Sequence, residues 1–286
     1  MLHSLDHVIL AVDDLEAATR DYTRLLGRRP AWRGEHPSAG SANTLFNLEN
    51  TYLELLAPAG PGPVSDLLRA RIAEEGEGPV GLAFGTDDAD ACHAEWAKHG
   101  LHPGPPEKGL GRDVDSGAYR EWRRVPLPLN ETRGVVLFGI EHTSPPEILP
   151  PSDPIGAEPA TAFGLDHAVV QTSEPDAAIA LYGTALGLRL ALDKSFPQWG
   201  MRLLFFRVAG LTVEVAVPLE PAEPLASDRL WGLTWRVRDI EAAGHRLSEA
   251  GIEVSAVRDG RKPGTRVCSV KSGTRGVPTL LIEPVA

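Results

Sequence analysis

The sequence predicts an α+β protein of four βαβββ modules, paired as two similar halves. Three observations carry that reading. Leu5-Asp6-His7 returns as Leu165-Asp166-His167, and Tyr22, Leu26 and Gly27 return as Tyr182, Leu186 and Gly187, all at a shift of 160 residues. Glu54 and Glu214 keep that register, so the first and third modules are copies without net insertion. Thr132-Arg133-Gly134-Val135 and Ile140-Glu141 match Thr274-Arg275-Gly276-Val277 and Ile282-Glu283 at a shift of 142, which pairs the second module with the fourth.

In the first module, Leu5 to Val12 predicts a strand, and Asp14 to Leu26 a helix capped by Asp13 or Asp14 and ended at Gly27. Leu15, Ala18, Tyr22 and Leu25 recur at helical spacing and form the stripe that packs on a sheet. Arg28 to Arg33 is expected as a strand, and Asn43 to Leu48 with Tyr52 to Leu56 as a hairpin. A helical insert, Val64 to Glu75, leads to the second module. Its strands are expected at Val80 to Gly85, Tyr119 to Pro126 and Val135 to Glu141, and its helix at Asp87 to His99. Six prolines between Thr143 and Thr161 deny that stretch a helix or a central strand and mark a linker. The second half repeats the scheme. Strands are expected at Leu165 to Gln171, Leu203 to Val208, Thr212 to Val217, Gly232 to Val237, Arg266 to Lys271 and Thr279 to Glu283, with helices from Pro175 and from Ile240 to Ala250. The domains so drawn are 1–143, with modules about 4–58 and 79–142, and 161–286, with modules about 163–218 and 230–285. Residues 144–160 join them.

With 286 residues, 42% hydrophobic and 23% charged, the chain has the composition of a soluble globular protein with two sizeable cores. The net charge of -11 argues against nucleic acid, whose nonspecific binding needs clustered Lys and Arg. Cys92 and Cys268 stand alone, as in a reduced compartment. The N-terminal residues carry no basic signal-like region, and no run of about 18 apolar residues occurs. A cytoplasmic protein with a small-molecule ligand, and with no membrane or nucleic-acid partner, is expected.

Strand alternation selects the candidate site residues. Tyr52, Glu54 and Leu56 share one face of their strand, as do Thr212, Glu214 and Ala216 of theirs; Glu141 and Glu283 lie at the ends of the last strands of the halves. Each half therefore sets one histidine, His7 or His167, and two glutamates into otherwise apolar strands. Carboxylates placed there need water, a cation or a basic partner.

These features resemble the vicinal oxygen chelate superfamily: the glyoxalases, bleomycin-resistance proteins and extradiol dioxygenases. The opening Leu5-Asp6-His7-Val8, the Asp14-Leu15-Glu16-Ala17-Ala18 helix start and Leu25-Leu26-Gly27 carry the likeness. The resemblance implies paired modules curled into two cups, each around a divalent metal held from first and last strands. Carried over, it assigns His7, Glu54 and Glu141 to one metal and His167, Glu214 and Glu283 to the other, with Zn, Mn, Ni or Mg as candidates and Glu54 and Glu141 as proton-moving groups. The partner modules begin with Gly81 and Gly232 where the family commonly has a histidine. The 2-His-1-carboxylate set of an iron dioxygenase is therefore incomplete. Two functions are open: a metal-assisted lyase or isomerase acting on a small oxygenated substrate, or a non-catalytic protein that sequesters a small molecule such as an antibiotic. His36, Asn43 and His142 add polar groups to the first cup only, which is expected to be the main ligand site.

Overall fold

The apolar segments between the Gly- and Pro-rich turns pair into two eight-stranded sheets, one per half. The computed structural model describes residues 2–220, 223 and 225–285. The first half runs β1 (Leu2–Ala11), α1 (Leu15–Leu26), β2 (Trp32–His36), β3 (Ser41–Asn47) and β4 (Tyr52–Pro58). It continues through α2 (Pro63–Glu75), β5 (Gly78–Thr86), α3 (Ala89–Lys98), β6 (Glu107–Asp113), β7 (Tyr119–Pro126) and β8 (Val136–His142). Asp14 caps α1 by accepting from the Ala17 amide, and Gly27, at φ 68°, ends it in the left-handed region that glycine tolerates.

The strand order of this half is β1-β4-β3-β2-β6-β7-β8-β5, closed into a barrel. Strand β1 is its hub, parallel to β4 with His7 beside Tyr52 and Ile9 beside Glu54, and antiparallel to β5. Closure rests on a short seam between β2 and β6, where Gly34 pairs with Asp113 and Glu35 with Arg112. Strand β6 was not expected from the sequence, because Glu-Lys-Gly-Leu-Gly-Arg-Asp carries two glycines and one apolar side chain. Strand β2 begins at Trp32 rather than Arg28. Arg28 is instead buried, its guanidinium donating to the carbonyls of Ala162 and Ser152, and Pro30 stands two residues on.

The proline-rich stretch is strapped to this barrel. The Asn47 amide nitrogen donates to Ser152 Oγ, its side-chain amide donates to the Leu149 carbonyl, and Leu149 packs with Trp32 and Tyr52.

The second half runs β9 (Ala162–Gln171), α4 (Pro175–Ala178), β10 (Arg189–Phe196), β11 (Met201–Val208) and β12 (Leu211–Pro218). It ends with β13 (Arg229–Val237), α5 (Ile240–Glu249), β14 (Arg258–Asp259), β15 (Arg266–Val270) and β16 (Thr279–Glu283). Its order is β10-β11-β12-β9-β13-β16-β15-β14, and it stays open. The edge strand β14 is two residues long and, among the described residues, pairs with β15 alone, so no described strand bridges it to β10. Helix α4 is a single turn that widens into a π-helix over Ile179–Ala185, marked by the Leu186 amide donating to the Leu181 carbonyl. Gly183 stands there at the place of Thr23 in α1.

One apolar core, containing Tyr22, Phe84, Tyr182, Phe206 and Trp235, runs beneath both sheets. Polar ties join the halves: Tyr22 Oη donates to the Thr274 carbonyl, and Arg275 Nε donates to Asp21 at 2.8 Å. None of the helices among the described residues is long and apolar enough to cross a membrane.

Candidate functional site

The first barrel encloses a cavity of about 820 Å³. Strand alternation puts His7 of β1, Tyr52 and Glu54 of β4, Arg120 of β7 and Phe138 of β8 on its wall. His7 is 3% and Glu54 8% exposed, and His7 Nε2 lies 3.5 Å from Glu54 Oε2. Behind the imidazole, Asp6 Oδ1 is 2.7 Å from His7 Nδ1, and Asp6 Oδ2 is 3.0 Å from His142 Nε2. Burial works against a charge on Asp6, but the hydrogen bonds from His142 and His7 outweigh it and hold the acid far below the usual carboxylate range. An ionised Asp6 keeps the proton of neutral His7 on Nδ1 and leaves the Nε2 lone pair facing Glu54 and the cavity.

Three neighbours complete this corner. Asn43 Nδ2 donates to Glu54 Oε1 at 2.6 Å, while Asn43 Oδ1 is buried with no hydrogen-bond partner among the described residues. The Tyr52 ring stacks on His7 with centroids 4.4 Å apart. Burial pushes the Tyr52 phenol well above its ordinary value, so it stays a donor. His36 sits edge-on to Trp122 at 5.8 Å, and burial lowers its pKa, with Arg120 and Arg124 adding to the effect.

Glu141 does not join His7 and Glu54. Its Oε2 accepts from the Ala89 amide at the start of α3 at 3.0 Å and lies 3.4 Å from Arg123 Nη1. Glu283 makes the same arrangement with the Ile240 amide and Arg266, whose hydrogen bond lowers the Glu283 pKa. The reason is strand phase. Val136, Phe138 and Ile140 of β8 face the cavity, so Glu141 faces the helices and satisfies an otherwise unpaired helix N-terminal amide. Register identifies the counterparts that the sequence reading missed. His7 pairs with Tyr52 and Ile9 with Glu54, whereas Gly81 pairs with Val136 and Ala83 with Phe138. With Gly81 at the place of His7, Phe138 stands at the place of Glu54, and the second module offers no ligating side chain.

Both halves match family models. Residues 5–163 match the glyoxalase-like domain, and residues 166–268 match the glyoxalase/bleomycin resistance protein/dioxygenase superfamily. The chain belongs to the glyoxalase-like family. Relatives of this glyoxalase-like protein include an ethylmalonyl-CoA/methylmalonyl-CoA epimerase of Cereibacter sphaeroides, 26% identical over 127 residues, which are 42% of this chain and 87% of the relative. A mutant 4-hydroxymandelate synthase from Streptomyces coelicolor is similar in fold, with a TM-score of 0.69 and 16% identity over 98% of this chain and 92% of that one. A hypothetical protein from Staphylococcus aureus aligns with a TM-score of 0.66 and 10% identity, covering 96% and 97% of the two chains.

The divalent metal expected from the family can be tested against the donors that this glyoxalase-like protein supplies. His7 and Glu54 alone meet in the first cup, and among the described residues no group of three or more His, Cys, Asp and Glu side chains is placed to hold a metal. Gly81 cannot be replaced by a ligand without movement, because a Cβ there would lie 2.7 Å from the Val136 carbonyl oxygen. Two protein ligands do not fit a Zn, Mn, Ni or Mg centre of the kind that takes three or four.

The second cup retains His167 beside Asp166, at 2.9 Å, and Glu214, at 3.7 Å. His167 and Arg236 hold Asp166 down at about 2 against the effect of its burial. Here the Thr234 hydroxyl lies 2.9 Å from His167 Nε2 and takes up the lone pair that is open in His7. Leu203 stands at the place of Asn43 and Thr212 at that of Tyr52. Val169, Leu203 and Ala216, with Phe196, Met201 and Phe205 against them, cover the concave face with apolar side chains.

Proposed function

We propose that the first barrel binds a small oxygenated molecule and moves a proton on it, as an isomerase or lyase without a protein-held metal. The observation that carries this is the buried His7–Glu54 pair at 3.5 Å on the cavity wall, with ionised Asp6 behind the imidazole. Glu54 takes the proton from a carbon next to a carbonyl, and the electron pair of the broken C–H bond moves onto the carbonyl oxygen. His7, whose open Nε2 faces Glu54 at 3.5 Å, receives that proton, and the imidazolium so formed, stabilised by Asp6, donates a hydrogen bond to that oxygen. Return of the proton to carbon gives the isomer, and departure of a neighbouring group gives the elimination product. Asn43 orients Glu54 through the 2.6 Å hydrogen bond. An epimerase, as the Cereibacter sphaeroides relative is named, performs chemistry of this class.

Exchange of the acidic C–H hydrogens of 2-oxo acids and acyl thioesters into deuterated water, followed by proton NMR, tests the reading. Exchange faster than background in the native protein and at background in Glu54→Gln is expected. Equal exchange in the two proteins would remove Glu54 from the chemistry.

A second reading is sequestration of a small molecule without turnover. Gly81 and Phe138, which leave the partner module without a ligand or an acid–base group, favour it. Tight binding with no exchange on any probe would select it.

A further inference from the structure

We infer that Arg120 is a built anion subsite, so that the ligand of the first cup is a carboxylate with a planar, apolar body. This rests on the reading that the first barrel is the ligand site, and it names the chemical class of that ligand. Arg120 is 9% exposed and lines the cavity, and among the described residues no carboxylate lies within 4.0 Å of it. Of the other arginines of β7, Arg123 pairs with Asp90 and Glu141, and Arg124 pairs with Glu107 at 2.7 Å, so β7 leaves one cation without a carboxylate partner among the described residues. A buried charge without a counter-ion is expensive, and a guanidinium left so beside a cavity is completed when an anion enters. His36 does not share the role, since burial keeps it neutral.

The aromatic surroundings fix both the cation and the shape of the guest. The Arg120 guanidinium carbon lies 5.7 Å from the Trp32 ring centre and 5.3 Å from that of Tyr52. Cation–π attraction at these distances steadies the guanidinium on the cavity wall, and its N–H groups toward the cavity suit a two-point contact with a carboxylate. Tyr52 is also the stacking partner of His7, so one ring is the common neighbour of the anion subsite and the His7–Glu54 pair. A carboxylate on Arg120 thus sets the rest of the molecule toward the proton-transferring corner. Trp122, Phe138 and Leu45 supply flat apolar wall for that body. Among the described residues, the register gives the second cup no counterpart. Arg124 pairs with Ile140 and Val267 with Ile282 at matching places, so a residue equivalent to Arg120 would fall beyond the end of β15 at Arg266.

The experiment is equilibrium binding, by tryptophan fluorescence and calorimetry, of benzoate and phenylpyruvate against the uncharged benzamide and benzyl alcohol. The native protein should bind the carboxylates at least tenfold more tightly than the uncharged analogues. Arg120→Gln should erase that preference while keeping the far-ultraviolet spectrum, Arg120→Lys should restore part of it, and Arg124→Gln should leave it intact. Glu54→Gln should retain carboxylate binding even where deuterium exchange is lost, which separates failure of the subsite from failure of the proton-transfer reading. Equal affinity for charged and uncharged probes, no binding of either carboxylate, or an unchanged preference in Arg120→Gln would overturn the assignment. A loss of melting temperature in Arg120→Gln with selectivity unchanged would make Arg120 a packing residue only, and would overturn it as well.

Discussion

The two cups begin from the same pattern and end as different environments. Each has an Asp–His pair on its first strand and a glutamate on its fourth, with His Nε2 to Glu distances of 3.5 and 3.7 Å. What differs is everything that faces the pair. In the first cup, Asn43 steadies Glu54, Ala83 stands beside His7 without a polar group, and aromatic walls and a closed barrel surround a cavity. In the second, Thr234 occupies His167, Leu203 replaces Asn43, and the sheet ends in a two-residue edge strand. A duplicated scaffold keeps its core-facing residues because packing demands them, whereas the groups lining a cup are free to diverge.

The largest expected contrast between the cups is catalytic. Glu54→Gln should lower proton exchange by about 10²- to 10⁴-fold, the usual contribution of a positioned base, whereas Glu214→Gln should leave it within about twofold. Equal losses in the two variants would erase the distinction. A smaller contrast is in metal affinity. Phe138→Glu adds a third carboxylate or imidazole donor at the place matching Glu54, and zinc titration should show binding at least about tenfold tighter than in the native protein. Leu280→Glu makes the equivalent change in the second cup, where Thr234 already holds His167, and should gain less. Stoichiometric metal in native protein purified without chelator would show that the first cup recruits a donor beyond His7 and Glu54.

Much of this was legible in the chain. The shifts of 160 and 142 define the modules because a strand that loses register loses its buried face. The placement of His7 beside Glu54 and of His167 beside Glu214 is legible because polar groups interrupt apolar strands. Glu141 and Glu283 were misplaced because residues at strand ends leave alternation with little to anchor it, and the apolar residues on both sides of β8 hide which face is which. Strands β6 and β10 are edges of their modules, rich in charge or glycine, so no apolar alternation announces them. Arg120 and Asp6 carried no local signal: one charge among several on a strand and one acid beside a histidine acquire meaning only when the barrel closes around them.

Stability against pH offers the next contrast. Asp6 is depressed in the folded protein, so its contribution is complete above its unfolded value of about 4 and is lost as the pH falls below that. Asp6→Asn should cost about 1.5–3 kcal/mol at neutral pH, and the variant should lose less stability than the native protein between about pH 4 and 2. Urea denaturation across that range checks it. Parallel slopes for the two proteins would mean that Asp6 is not the acid-labile group.

The smallest effect is also the most direct exchange between the cups. Thr234 and Ala83 occupy matching places, opposite His167 and His7 across their antiparallel strand pairs. With the Nδ1 proton drawn to Asp166, neutral His167 accepts the Thr234 hydroxyl at Nε2, and both ring nitrogens are satisfied. Thr234→Ala removes that donor and copies the first cup. Because the freed Nε2 opens onto the concave face, where water can replace the hydroxyl, the loss should be only about 0.5–1.5 kcal/mol. The His167 nitrogen shifts, read by long-range proton–nitrogen NMR, should still report the Nδ1–H form, since Asp166 and not Thr234 sets the tautomer. A switch to the Nε2–H form in the variant would show that the hydroxyl governs the ring, and that the open lone pair of His7 cannot be inferred from Asp6 alone.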